Sequence, residues 1–203
     1  MSDRLVGSEM CIRDRLDSIK DNIENTHIII PYNNEYVNFR LESLLKKTYP
    51  MINFHLLCLS KDTEGAAETI NIALKDITLP DQPILCLDSD NFYTFDIVKK
   101  WNQQNCVFTF SDYGDKPIYS YIELSGNHIT NIVEKEKISE KACTGAYGFF
   151  SYKELLFFTG QIIEKNIREK NEFYTSVVIK EMINNDSLFE KINIDKKEFI
   201  CLG

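Results

Sequence analysis

From about Asn25 onward, short apolar runs that suit buried strands alternate with longer stretches that carry apolar residues at helical spacing. THIIIPY (Thr26–Tyr32), NFHLLCLS (Asn53–Ser60), PILCLD (Pro83–Asp88) and CVFTFS (Cys106–Ser111) are the strand-like runs. Between them, EYVNFRLESLLKK (Glu35–Lys47), GAAETINIALKDI (Gly65–Ile77) and FDIVKKWNQQN (Phe95–Asn105) read as helices. Strands alternating with helices at this length predict parallel pairing and a doubly wound α/β sheet.

After Ser111 the rhythm changes. PIYSYIEL and HITNIVEK flank SGN (Ser125–Asn127), which predicts a hairpin. CTGAYGFFS (Cys143–Ser151) is a further strand, YKELLFFTGQIIEKNI and NEFYTSVVIKEMINN are helices, and the remainder is extended. The expectation is an α/β half followed by mixed, partly antiparallel strands, with a ligand crevice at the carboxyl ends of the parallel strands.

With 203 residues, 43% of them hydrophobic and 27% charged, the chain can bury one core. No apolar run approaches the roughly 20 residues that a bilayer requires, so no membrane partner is expected. A net charge of -8 argues against a nucleic-acid-binding surface. The six cysteines form no CxxC pair, and several sit in strand-like runs as small hydrophobes, a pattern that suits a cytoplasmic location. The oligomeric state is not legible.

The first residues stand apart. MSDRLVGSEMCIRDRLDS has no clear period and no signal-peptide core. Its segment Gly7–Arg15 resembles a translated sequencing adapter, so residues 1–15 are set aside as a non-native arm and 16–203 are read as a partial domain.

The chemistry concentrates at three places. In PILCLDSDNFY (Pro83–Tyr93), an apolar strand runs into Asp88 and Asp90. Two carboxylates two residues apart on a strand share a face, and a divalent cation beside them relieves their repulsion; Mg²⁺ suits a site with few carboxylates. The plain alternative is a turn in which Asp90 caps the next helix. In DTEGAAETI (Asp62–Ile70), the small residues Gly65 and Ala66 open a helix whose N-terminal amides favour a nucleotide edge. Close helix packing would demand the same residues. In IVEKEKISEKACTGAYGFF (Ile132–Phe150), Glu134 can accept hydrogen bonds from hydroxyls and Lys135 can hold a phosphate as a mobile charge. Gly145 lets backbone approach a ligand. A solvated charged loop is the commoner fate of such Lys-Glu runs.

In order and spacing, T-x-G-A-A, strand-DSD, E-K, T-G-x-Y-x-F and N-E-F-Y together resemble the sugar-phosphate nucleotidyltransferases, nearest the branch of capsule and surface-polysaccharide loci. The resemblance runs from about Asn25 to the C-terminus. It implies a Rossmann-like fold, similar in outline to A-type glycosyltransferases, with a mixed sheet flanked by helices. It also implies transfer of a nucleotidyl group from an NTP to a sugar 1-phosphate with Mg²⁺. On this resemblance Asp90 is the metal and catalytic aspartate, with Asp88 an additional carboxylate beside it. Lys135 and Glu134 are the phosphate- and sugar-binding pair. Gly65 and Ala66 border the base, Gly145 lies under the sugar, and Glu172 borders the sugar pocket.

Two features depart from that pattern. The glycine-rich, basic loop that binds the triphosphate has no counterpart: no glycine lies between Gly7 and Gly65, and IIIPYNNEY looks like the family's second strand. Cys201 stands roughly where a second metal-binding aspartate is expected. The expectation is therefore an N-terminally truncated, inactive fragment. Two other readings stay open: an A-type glycosyltransferase using an NDP-sugar, and a non-catalytic nucleotide- or sugar-binding domain. The pairing of VEKEKIS with TGAYGF is expected for the first reading and not for the glycosyltransferase.

Overall fold

The computed structural model describes residues 16–19, 26–39 and 41–201. The arm Met1–Arg15 lies outside them. β1 (His27–Asn33) leads through a 3-10 turn (Asn34–Phe39) and α1 (Leu41–Thr48) to β2 (Asn53–Leu59). β1 and β2 pair in parallel, His27 opposite Asn53 and Asn33 opposite Leu59. α2 (Ala66–Lys75), β3 (Ile84–Leu87), β4 (Asn91–Tyr93), α3 (Ile97–Lys100) and β5 (Cys106–Ser111) come next. The second half comprises β6 (Ser120–Ser125), β7 (His128–Glu134), β8 (Lys141–Phe149), α4 (Tyr152–Glu164), α5 (Thr175–Asn184), β9 (Glu190–Asn193) and β10 (Phe199–Cys201).

Six strands form one mixed sheet in the order β3-β8-β5-β9-β7-β6. The expected parallel continuity of β3 with its neighbours does not hold. β8 inserts between β3 and β5 and runs antiparallel to both, while β5 pairs in parallel only with β9. Periodicity marked β8 as a strand, but the choice of neighbours is a tertiary one. The hairpin forms as expected, with Ser125 opposite His128. Among the described residues, β1 makes ladder bonds only to β2, and β3 only to β8.

Two helices are shorter than their apolar spacing suggests. The stretch from Glu35 divides into the 3-10 turn and α1. The helix expected over 95–105 is the single turn α3, because Trp101 leaves it. Its indole lies against the α-carbon of Gly148 and its Nε1–H donates to the Gln104 carbonyl at 2.9 Å. A fixed tertiary contact here outweighs local propensity.

The sheet buries both faces, as alternation along its strands shows. On β5, Val107 joins the core beneath α2, α4 and α5, while Cys106, Phe108 and Phe110 join the other. On β8, Cys143 and Tyr147 face the first core and Ala142 and Ala146 the second. α4 is started by Ser151, whose hydroxyl accepts the Glu154 N–H at 3.1 Å, a cap worth about 1 kcal/mol.

Candidate functional site

β3 ends at Leu87. Asp88 is the last residue held at the sheet, its N–H donating to the Gly145 carbonyl at 2.8 Å. Ser89 and Asp90 then turn the chain into β4, and Asp90 is exposed while Asp88 is half-buried. The strand pleat therefore does not align the two carboxylates; the turn sets their relation. β10 pairs across this turn, with Cys201 opposite Asn91, so the C-terminal strand reaches the residue beside Asp90.

Gly145 has φ 76°, a left-handed conformation that glycine adopts without strain. A β-carbon there would lie 2.5 Å from Asp88 Oδ2 and against the Asn91 side-chain amide. Cys143, Gly145 and Tyr147 project from one face of β8. Burial pushes the Cys143 thiol and the Tyr147 hydroxyl well above their usual pKa values, and the Asp88 and Glu134 carboxylates push both further. Two carboxylates, one just past β3 and one closing β7, thus flank one buried patch of β8.

Glu134 closes β7 and is buried. Its Oε2 accepts the hydroxyl of Ser176 on α5 at 2.9 Å and the hydroxyl of Ser120 on β6. Lys135 comes next with φ 52° and donates its N–H to the Tyr119 carbonyl at 2.9 Å. Its exposed side chain crosses the Tyr174 ring and donates to the Tyr174 hydroxyl at 2.8 Å. That bond raises the Lys135 pKa against the opposing effect of burial, with Glu134 and Glu172 adding to it. Glu172 is exposed, two residues before Tyr174.

Gly65 caps α2 with φ 137° and no side-chain bond. A β-carbon there would lie 2.6 Å from the Phe173 carbonyl oxygen, which also accepts the Ala67 N–H at 2.8 Å. Close packing on Phe173 accounts for Gly65 by itself, and one of the free helix amides is already satisfied. Ala66 is half-buried beside it. The chain thus gathers Asp88, Gly145, Glu134, Lys135 and Glu172 around β8 and α5, and joins Gly65 to them through residues 172–174.

Sequence reasoning missed Ser120, Ser176 and Glu169, and marked Tyr174 only as part of N-E-F-Y without a role. Ser176 carried a signal: a hydroxyl on a helix whose next three residues, Val177, Val178 and Ile179, are all buried. A polar group there needs a buried partner.

Among the described residues, no three His, Cys, Asp or Glu side chains converge as metal ligands. Asp88 and Asp90 supply two carboxylates at the end of β3. Such a pair is of the kind that Mg²⁺ uses, since that ion binds through one or two carboxylates and completes its shell with water and phosphate. The pair does not fit a zinc site built wholly from protein ligands.

No protein-family profile matches the sequence, and a search of curated proteins finds no match. Solved structures do match. A nucleoside-diphosphate-sugar pyrophosphorylase from Vibrio cholerae RC9 superposes with a TM-score of 0.83 at 18% identity, covering 95% of this chain and 82% of that one. The fold is that of the nucleotidyltransferases. CTP:phosphocholine cytidylyltransferase from Streptococcus pneumoniae has a TM-score of 0.71 at 12% identity, with 94% and 78% covered. The inositol-1-phosphate CTP transferase from T. maritima has 0.68 at 10%, with 93% and 73% covered. No helix among the described residues is long and apolar enough to cross a membrane.

Proposed function

We propose that this chain is part of a sugar-phosphate nucleotidyltransferase, a cytoplasmic enzyme that makes an NDP-sugar for surface polysaccharide. The observation that carries this reading is that Asp88, against Gly145, and Glu134, which leads into Lys135, both act on one patch of β8 within the nucleotidyltransferase fold. In the reaction, a phosphate oxygen of the sugar 1-phosphate attacks the α-phosphorus of an NTP in line. A new P–O bond forms, the bond to the β-phosphate breaks, and pyrophosphate leaves with the electron pair. No general base is needed, because the phosphate monoester is already anionic.

Lys135 supplies a positive charge for the sugar phosphate, steered by the Tyr174 hydroxyl. Glu134 lines the sugar side. Asp90, with Asp88 beside it, would hold Mg²⁺, which offsets phosphate charge as the bond order shifts. The triphosphate needs a cradle of backbone amides, and no glycine-rich loop lies between Gly7 and Gly65. Among the described residues no glycine-rich loop supplies that cradle, and the 203-residue chain alone is proposed to be inactive.

The test is pyrophosphate release with a panel of NTPs and sugar 1-phosphates, comparing this chain with one extended upstream by its genomic sequence. Activity only in the extended chain is the expected result. Turnover by the short chain would overturn the truncation reading, and an extended chain that turns over none of the panel would overturn the transferase reading.

A further inference from the structure

The loop between α4 and α5 holds three non-glycine residues in the left-handed region: Asn166 at φ 52°, Lys170 at φ 45° and Asn171 at φ 69°. Such a loop keeps its shape only where surrounding bonds over-determine it. Two adjacent side chains supply those bonds in opposite directions. Arg168 pairs with Glu64, the neighbour of Gly65, and its guanidinium lies 3.9 Å from the centre of the Phe173 ring. Glu169 reaches the other way. Its Oε2 accepts the backbone N–H of Glu134 at 2.9 Å, and its Oε1 is paired with Lys180 of α5 at 3.2 Å.

The Glu134 N–H sits immediately before the left-handed Lys135. Side-chain bonds from Ser120 and Ser176 fix the Glu134 carboxylate, and Tyr119 fixes the Lys135 N–H. Glu169 holds the backbone amide between those two anchors. Because Arg168 ties the same loop to the segment that enters α2, residues 168 and 169 span the two halves of the candidate site.

We propose that Glu169 is a positioning residue. Through the Glu134 N–H it holds the Glu134–Lys135 turn, and its coupling to Arg168 keeps that turn at a fixed separation from the Gly65 loop. This inference rests on the reading that Glu134 and Lys135 face the phosphorylated substrate. A carboxylate accepting a backbone N–H is a charge-assisted bond, stronger than a neutral one, and Lys180 keeps the carboxylate oriented. Glutamine at 169 retains an acceptor oxygen, whereas alanine retains none.

The experiment compares wild type, Glu169→Ala and Glu169→Gln with two readouts. Titration with glucose 1-phosphate and, separately, with CTP reports the two half-sites, and amide hydrogen exchange reports the turn. Glu169→Ala is expected to weaken glucose 1-phosphate binding about tenfold, to leave CTP binding nearly unchanged, and to speed exchange at the Glu134 amide selectively. Glu169→Gln is expected to recover most of both effects. Unchanged Glu134 exchange in Glu169→Ala overturns the proposal, as does a uniform rise in exchange with equal loss of both ligands. If wild type binds neither probe, the exchange pattern alone supports or overturns the role of Glu169 in holding the turn.

Discussion

Asp88 and Gly145 are held together twice, by the 2.8 Å bond from the Asp88 N–H to the Gly145 carbonyl and by the carboxylate lying against the glycine α-carbon. Gly145→Ala adds a β-carbon 2.5 Å from Asp88 Oδ2 at φ 76°. Backbone strain and the displaced carboxylate together should cost about 1–3 kcal/mol. Urea unfolding measures this, and Asp88→Ala in the same chain should recover part of the loss by vacating the space. An alanine variant as stable as wild type would show that this contact does not constrain the site.

Most strands, the hairpin and the Asp-bearing strand end were legible because apolar periodicity and turn residues are local signals. The insertion of β8 between β3 and β5 was not, because sheet order is decided by which buried faces fit. The same split holds at the site. Asp88, Glu134, Lys135 and Gly145 stood out as charges or glycine beside apolar runs. Glu169 and Ser120 did not, since their partners lie 35 and 14 residues away and nothing in the local pattern joins them.

Asp90 is exposed and Asp88 half-buried, so their substitutions should separate. Asp90→Asn should leave the unfolding midpoint unchanged, yet cut Mg²⁺-dependent turnover of an extended chain by orders of magnitude. Asp88→Asn should be milder in turnover and lower stability measurably. Near-normal Mg²⁺-dependent activity in Asp90→Asn would remove that residue from the metal site.

Glu134 ties β7 to β6 and α5 through two hydroxyls on one oxygen. Glu134→Ala leaves the buried Ser120 and Ser176 hydroxyls without this acceptor and should destabilise by about 2–3 kcal/mol. Glu134→Gln keeps a carbonyl acceptor and should lose less. Equal losses in the two variants, read by thermal and urea unfolding, would mean that the volume of the side chain matters and its acceptor oxygen does not.

Asp112 gives a pH signature. Burial works against its charged form. The Tyr121 hydroxyl at 2.7 Å, the Gly114 N–H at 3.1 Å and the charges of Lys137 and Lys196 outweigh burial and hold its pKa below the ordinary 3.8. A depressed folded pKa contributes stability that is complete above the unfolded value and is lost as pH falls through the folded one. Tyr121→Phe should therefore lower stability near neutral pH, with a gap from wild type that narrows as pH falls below the ordinary 3.8. A gap that stays constant would mean that the hydroxyl acts through packing alone.

Lys135 combines a left-handed backbone with a long cation, so its two roles need separating. Its charge lies beside Tyr174, whose hydroxyl and ring orient it without neutralising it. If the charge binds the sugar phosphate, removing it should cost about 1.5–3 kcal/mol, the value of a hydrogen bond to a charged group. In an extended, active chain, Lys135→Ala should raise KM for the sugar phosphate by roughly ten- to a hundredfold and KM for the NTP far less. Lys135→Gly removes the same charge but suits φ 52° better, so it should match the alanine variant in KM while being at least as stable. Tyr174→Phe keeps the ring and loses only the hydroxyl, and its effect should be smaller. Equal increases in KM for both substrates, or recovery of KM in the glycine variant, would show that the position shapes the turn and that its charge is not a phosphate contact.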